Sequence, residues 1–338
     1  MIRITEVAMS LPFKKLGLTA LVVAALSSAA ALAVTQEGAA PSAPVAIATA
    51  AKAPPVPLLW KVSDRDNAVY LLGSFHLLKA DDYPLSSDID TAFTAVDKVV
   101  FEVPPEQMTD PATQAKFLEV AGFGDDRKLS QVLPADLREK LSRLMAMSGS
   151  SIEMVDGYEP WFVNLSLLIG VSQSLGFSPD KGLDQHLMQQ AAATNKPTGG
   201  LETMDLQLQV LDASPMPEQI TSLREFLDRP QDMPGLLTDL HQAWRDGDVA
   251  KLDQLTREEM REKTPQTYRM VNVERNDAWV PQISGMLDAK KGDTMVVVGA
   301  LHLLGADGVV EKLRGKGYKV ERVCSACAGA AERPAQSK

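Results

Sequence analysis

The chain has 338 residues, enough to bury a substantial core as one large domain or two small ones. Its net charge of −10, with no Lys/Arg cluster, excludes nucleic acid as the partner, because phosphate binding needs a basic footprint. No Gly-x-Ser-x-Gly elbow, P-loop, Gly-x-Gly-x-x-Gly or His-Glu-x-x-His occurs, so serine hydrolase, NTPase and Rossmann dehydrogenase readings lack motif support.

In chain order, Lys14 and Lys15 precede an almost uncharged run from Leu16 to Val34 that contains Ala31-Leu32-Ala33. A basic start, an apolar run and a small-x-small site predict a secretory signal over 1–33, and with it export to the periplasm or the exterior. The alternative is an uncleaved membrane anchor, since the run approaches spanning length. Residues 34–57, with Pro41, Pro44, Pro54, Pro55 and Pro57, predict a linker. The folded domain is expected over 58–325, followed by a tail over 326–338.

Short apolar runs at 58–62 and 68–73 flank Ser63-Asp64-Arg65-Asp66-Asn67 and predict a β-hairpin. A helix over 84–96 and a strand over 98–103 follow, and Pro104 and Pro105 stop that strand. Residues 106–291 predict a long helical insertion, with helices near 110–121, 134–147, 160–175, 183–194, 204–211, 217–228, 233–246, 248–263 and 272–289, and a short strand or turn at 196–200. The run 294–299 (TMVVVG) is rich in β-branched residues and predicts a central strand buried on both faces. A helix over 308–315 and a strand over 318–323 close the domain. The expected fold class is α/β, with one mixed central sheet built from both ends of the chain. Cys324 and Cys327 are the only cysteines; in an exported chain they suit a local disulfide, and their place after a strand argues against a redox role.

One pattern occurs twice. Residues 69–81 read VYLLGSFHLLKAD and 295–307 read MVVVGALHLLGAD. Each is an apolar strand ending in Gly-x-x-His, and the two copies hold His76 and His302, half of the four histidines. Strand C-termini are where α/β sheets gather ligands. Side by side, these two strands would bring the imidazoles together as candidate metal ligands. For either histidine alone, a bond to a backbone carbonyl is the plainer reading; the repeat moves the balance toward function. Glu102 ends KVVFEV among apolar neighbours, where a bare carboxylate is costly and a metal or an arginine would offset it. His76, Glu102 and His302 together would leave an open position for water on a divalent ion. Glu202 follows Gly199-Gly200-Leu201, whose glycines allow close approach, but taken alone it reads slightly better as a helix-start acid. Arg275, in VERNDAW, lies on a predicted helix, where an arginine is usually a solvated or salt-bridged residue, and Asn276 adjoins it. His186 and His241 lie on predicted helices without a ligand-like context and read as packing or surface residues.

Taken together, GSFH, GALH, VVFEV, GLDQHL, GGLET and VERN resemble the TraB/GumN (TraB/PrgY/GumN) family, related to the Tiki metalloproteases, across roughly 58–325. The resemblance implies an α/β fold like that of the erythromycin-esterase and ChaN-like group, and a metal-dependent hydrolase. Its expected cofactor is a divalent ion such as manganese, and its expected substrate is a peptide or another small molecule. Carried onto matching positions, it makes His76, Glu102 and His302 the ligand or catalytic set. Glu202, Arg275 and Asn276 become orienting candidates, with Arg275 suited to a developing oxyanion. A non-catalytic binding protein for a peptide, a metal or haem is the alternative.

Overall fold

The computed structural model describes residues 52–289 and 292–327. The expected signal segment 1–33, the linker up to residue 51 and the tail from 328 lie outside the described residues. The last residues of the expected linker are part of the fold. Val56 N–H donates to Arg245 O at 2.7 Å, and the Arg322 guanidinium donates to Pro57 O. None of the described helices is long and apolar enough to cross a membrane.

Six strands form one mixed sheet: β1 (Leu59–Ser63), β2 (Ala68–Ser74), β3 (Lys98–Phe101), β4 (Thr198–Gly200), β5 (Thr294–Gly299) and β6 (Lys319–Arg322). Their order is β4-β3-β5-β2-β1-β6. The first four in that order run parallel, and β1 is antiparallel to both of its neighbours. The β1–β2 turn is held by Asp64, whose Oδ1 accepts from the N–H groups of Asp66 and Asn67. As its β-branched run requires, β5 is central and buried from Met295 to Gly299. It joins the hairpin half of the sheet to β3 and β4.

Apolar faces of the helices Ser87–Ala95, Leu183–Ala193, Arg275–Asp288 and Val309–Gly315 share one core with the strands. The Met233–Arg245 helix adds Ala243 and Trp244 to that core, while the outer helices of the insertion build a second core. Leu129, Leu137 and Leu141 pack there with Val163, Leu223 and Phe226.

Several boundaries differ from expectation for local reasons. The first helix begins at Ser87 rather than Pro84, because Ser86 caps it through Asp88 N–H. β3 ends at Phe101, one residue short of Glu102, since the Glu102 carbonyl turns to accept from the N–H groups of Leu201 and Glu202. The expected helix 248–263 is α-helical at each end with a π-helical turn, Gln254–Glu258, between. A second π-helical turn, Arg269–Glu274, runs directly into Arg275–Asp288. Single π-helical turns inside helices are rare and frequently sit at functional sites.

Candidate active site

β2, β3, β4 and β5 end on the same edge of the sheet. His76 lies two residues past β2, Glu102 one past β3, Glu202 two past β4 and His302 three past β5. The two copies of the repeated pattern do lie side by side, but one residue out of step: Gly299 pairs with Ser74, not with Gly73. Alternation along a strand then sends the equivalent glycines to opposite faces. A Cβ on Gly73 would meet Leu58 and Ala300 in the core. On Gly299 it would meet His76 Nε2 at 3.2 Å, Glu102 Oε1 at 3.3 Å and His302 Cδ2 at 3.7 Å. The site thus gathers around the one face of β5 that has no side chain. The histidines are unlike as well: the His76 side chain is 60 % exposed, whereas His302 is buried.

His302 is fixed by consecutive helix residues. Asn276 Nδ2 donates to Asp307 O at 2.8 Å, which turns its Oδ1 to accept the His302 Nδ1–H at 2.8 Å. The Nε2 lone pair then faces Arg275 Nη1 at 3.0 Å. Burial holds the His302 imidazole down to about 3, so it is neutral. The Trp279 ring lies against it at 4.5 Å.

Glu102 is surrounded by donors. Oε1 accepts from Gly299 N–H at 2.7 Å, and Oε2 accepts from Arg275 Nη2 at 2.6 Å and Gln207 Nε2 at 3.1 Å. Burial pushes this carboxyl up, but the Arg275 guanidinium, the His76 imidazolium and the Gly299 N–H outweigh it and hold the group down to about 2. Glu202 is buried against Arg275 Nη2 at 2.6 Å and Trp279 Nε1 at 3.2 Å. Its burial leaves its carboxyl raised despite the guanidinium. One arginine therefore bridges two carboxylates and a histidine, replacing the solvation each loses.

His76 is held by a residue from the insertion. Asp184 Oδ1 lies 3.1 Å from His76 Nδ1 and accepts from Ser74 Oγ at 2.8 Å, while Asp184 N–H donates to Ser74 Oγ. Gly182 makes this possible, because any Cβ there would collide with the His76 carbonyl. The Asp184 charge raises the His76 imidazole to about 9. Asp184 belongs to the GLDQHL segment, but an acid in the first turn of a helix is already accounted for by the helix dipole, so its position alone does not mark it. Ser74 and Gln207 were also missed; only the x position of GSFH pointed to Ser74, and nothing pointed to Gln207.

The two remaining histidines behave as packing residues. His241 is buried with Nε2 at 2.8 Å from Asp82 Oδ2, and His186 packs against the Tyr83 ring at 4.7 Å. Cys324 and Cys327 are joined in a disulfide.

A comparison with known families matches residues 58–322 to the TraB/PrgY/gumN family. The chain belongs to that family. The match covers all six strands and every site residue above. No curated protein and no solved structure matches the chain. In this TraB/PrgY/gumN chain, therefore, the chemistry has to be argued from the site itself.

The donor set suits a divalent ion in kind. Both imidazoles are anchored through Nδ1, one by a carboxylate and one by an amide, as metal-binding histidines commonly are. The cradle over Gly299 brings His76 Nε2 and Glu102 Oε1 to one point. Arg275 takes up the His302 Nε2 lone pair, so His302 would bind an ion only on giving up that hydrogen bond. Among the described residues, no three His, Cys, Asp or Glu side chains are gathered closely enough to chelate as they stand. Beyond the polar cluster opens a cavity of about 420 Å³, reached by Ser74, His76, Glu102, Asp184 and Gln207 but not by Glu202, Arg275, Asn276 or His302.

Proposed function

We propose that this protein is an exported hydrolase acting on a carbonyl substrate, such as a peptide bond, at the His76–Glu102–His302 site. One observation carries the reading: two imidazoles, each locked through Nδ1, flank an ionised carboxylate over a side-chain-free strand end that opens into a cavity. The disulfide supports the export part. A divalent ion such as manganese would be held by His76, Glu102 and His302, and would polarise the carbonyl and lower the pKa of a bound water. The chain's own groups prepare that place. Asp184 and Asn276 fix the two ring orientations, and Arg275 balances the Glu102 and Glu202 charges. Glu202, Arg275 and Asn276 would act through these partners, by the Arg275 bonds to Glu102 and Glu202 and the Asn276 bond to His302.

The test is hydrolysis of a mixed peptide and ester panel after EDTA treatment, with and without added Mn²⁺, by wild type, His76→Ala and Glu102→Gln. The expected result is turnover that falls at least a hundredfold in both variants. Equal turnover in all three proteins would overturn the proposal.

A further inference from the structure

We infer that the 420 Å³ cavity is a recognition pocket for one large apolar group, carried next to the carbonyl that reaches the polar cluster. The inference rests on the hydrolase reading for the word carbonyl, and on the cavity's own walls for the word apolar. The polar residues lie at the sheet edge. Away from them the walls are Phe117, Leu165, Ile169, Met188, Leu208 and Leu211, all from the helical insertion.

Two features point to a ligand rather than to a packing defect. The helix Pro160–Ser174 reads PWFVNLSLLIGVSQS and is apolar nearly all round, a composition expected only of a helix that is covered on every side. Leu165 and Ile169 are only partly buried and face the cavity, while Leu167, Leu168 and Val171 of the same helix, also partly buried, pack against the second core. One incompletely covered side of that helix is thus turned toward the cavity that Glu102 and His76 reach. The volume lies within the roughly 300–1,000 Å³ of small-molecule sites, and their usual make-up is the one seen here, apolar walls with a few convergent polar groups. Met108, Met188 and Met204 also line it, and flexible thioethers let such a wall adapt to differing apolar shapes.

The same chemistry is offered by the side chain of a peptide residue and by a fatty acyl chain, and one experiment separates them. Calorimetric titration of the full chain would use blocked dipeptide amides ending in Gly, Ala, Leu or Phe, and in parallel acyl amides of increasing length. Each buried methylene should tighten binding roughly fourfold in the series that fits. Ile169→Trp and Leu211→Trp fill the cavity from two different helices at partly buried positions, so at least one should fold normally by circular dichroism; each should weaken the longest ligand at least tenfold. Affinity independent of apolar size in both series, or unchanged in a folded filling variant, would overturn the pocket. Size-dependent binding with no turnover of the matching ester or amide would retire the hydrolase and leave the pocket standing. Turnover without size dependence would do the reverse.

Discussion

At Gly299 a Cβ would press on His76 Nε2 and Glu102 Oε1 at 3.2 and 3.3 Å, closer than such contacts normally come. The backbone there is ordinary, so the constraint is space alone. Gly299→Ala should therefore fold with a stability loss below about 1 kcal/mol while turnover falls at least about tenfold. Thermal melting and kcat/KM measured side by side check this. A second prediction concerns Asp184, whose charge raises His76 to about 9 from the ordinary 6.5. Asp184→Asn should bring the His76 titration back toward that value, as read from its imidazole proton resonances. Because the folded-state value is raised, the pair stabilises the fold fully below pH 6.5, and that contribution fades as pH rises through 9. With His76 mostly exposed it should be worth less than about 1 kcal/mol. His76, Glu102 and His302 were legible in the sequence because each follows an apolar strand, and the repeat tied two of them together. Asp184 and Gln207 were not, because nothing local tells which helix of a long insertion returns to a strand end.

Among the elements, the turn after His76 and the helix Met233–Arg245 are tied through Asp82. Its carboxylate accepts from Lys79 N–H at 2.8 Å, from His241 and from the Arg245 guanidinium, and Trp244 Nε1 donates to Gly73 O at 3.2 Å. Burial opposes the Asp82 charge, but His241, the Lys79 N–H and Arg245 outweigh it and hold the carboxyl down to about 2. A depressed carboxylate contributes stability above its unfolded value of 3.8 and loses it as pH falls through 2. Urea unfolding across pH 5 to 2 should show a loss of about 2 kcal/mol from this group. Asp82→Asn should flatten that fall and cost about 3–5 kcal/mol at neutral pH, since it leaves Arg245 buried without its charge partner. Strands and helices were read well from period and breakers. The π-helical turns escaped, because no residue type marks where an i→i+5 hydrogen bond replaces an i→i+4 one.

At the scale of the fold, the two largest cores among the described residues divide the labour. One contains the sheet, and the other holds the outer insertion together without contributing a strand. Leu141 is fully buried in the second core, so Leu141→Ala should cost about 2–5 kcal/mol locally. Hydrogen exchange should then quicken over the helices Ala135–Met147 and Met216–Asp228 well before it quickens in β2 or β5. Equal acceleration everywhere would mean the two cores unfold as one.

The place of β5 also sets a timetable. It is the strand that joins the hairpin half of the sheet to β3 and β4, and the bond from Ala68 N–H to Asp293 beside it spans 225 residues. On a ribosome, β2 and β3 emerge early and wait with an unpaired edge each while the insertion is made. Once the insertion is made every site candidate except His302 exists, but Glu102 still lacks the Gly299 N–H beside it. A chain stopped before Thr294 would thus carry sticky edges and an incomplete site, so the proposed site is assembled only once β5 has been made.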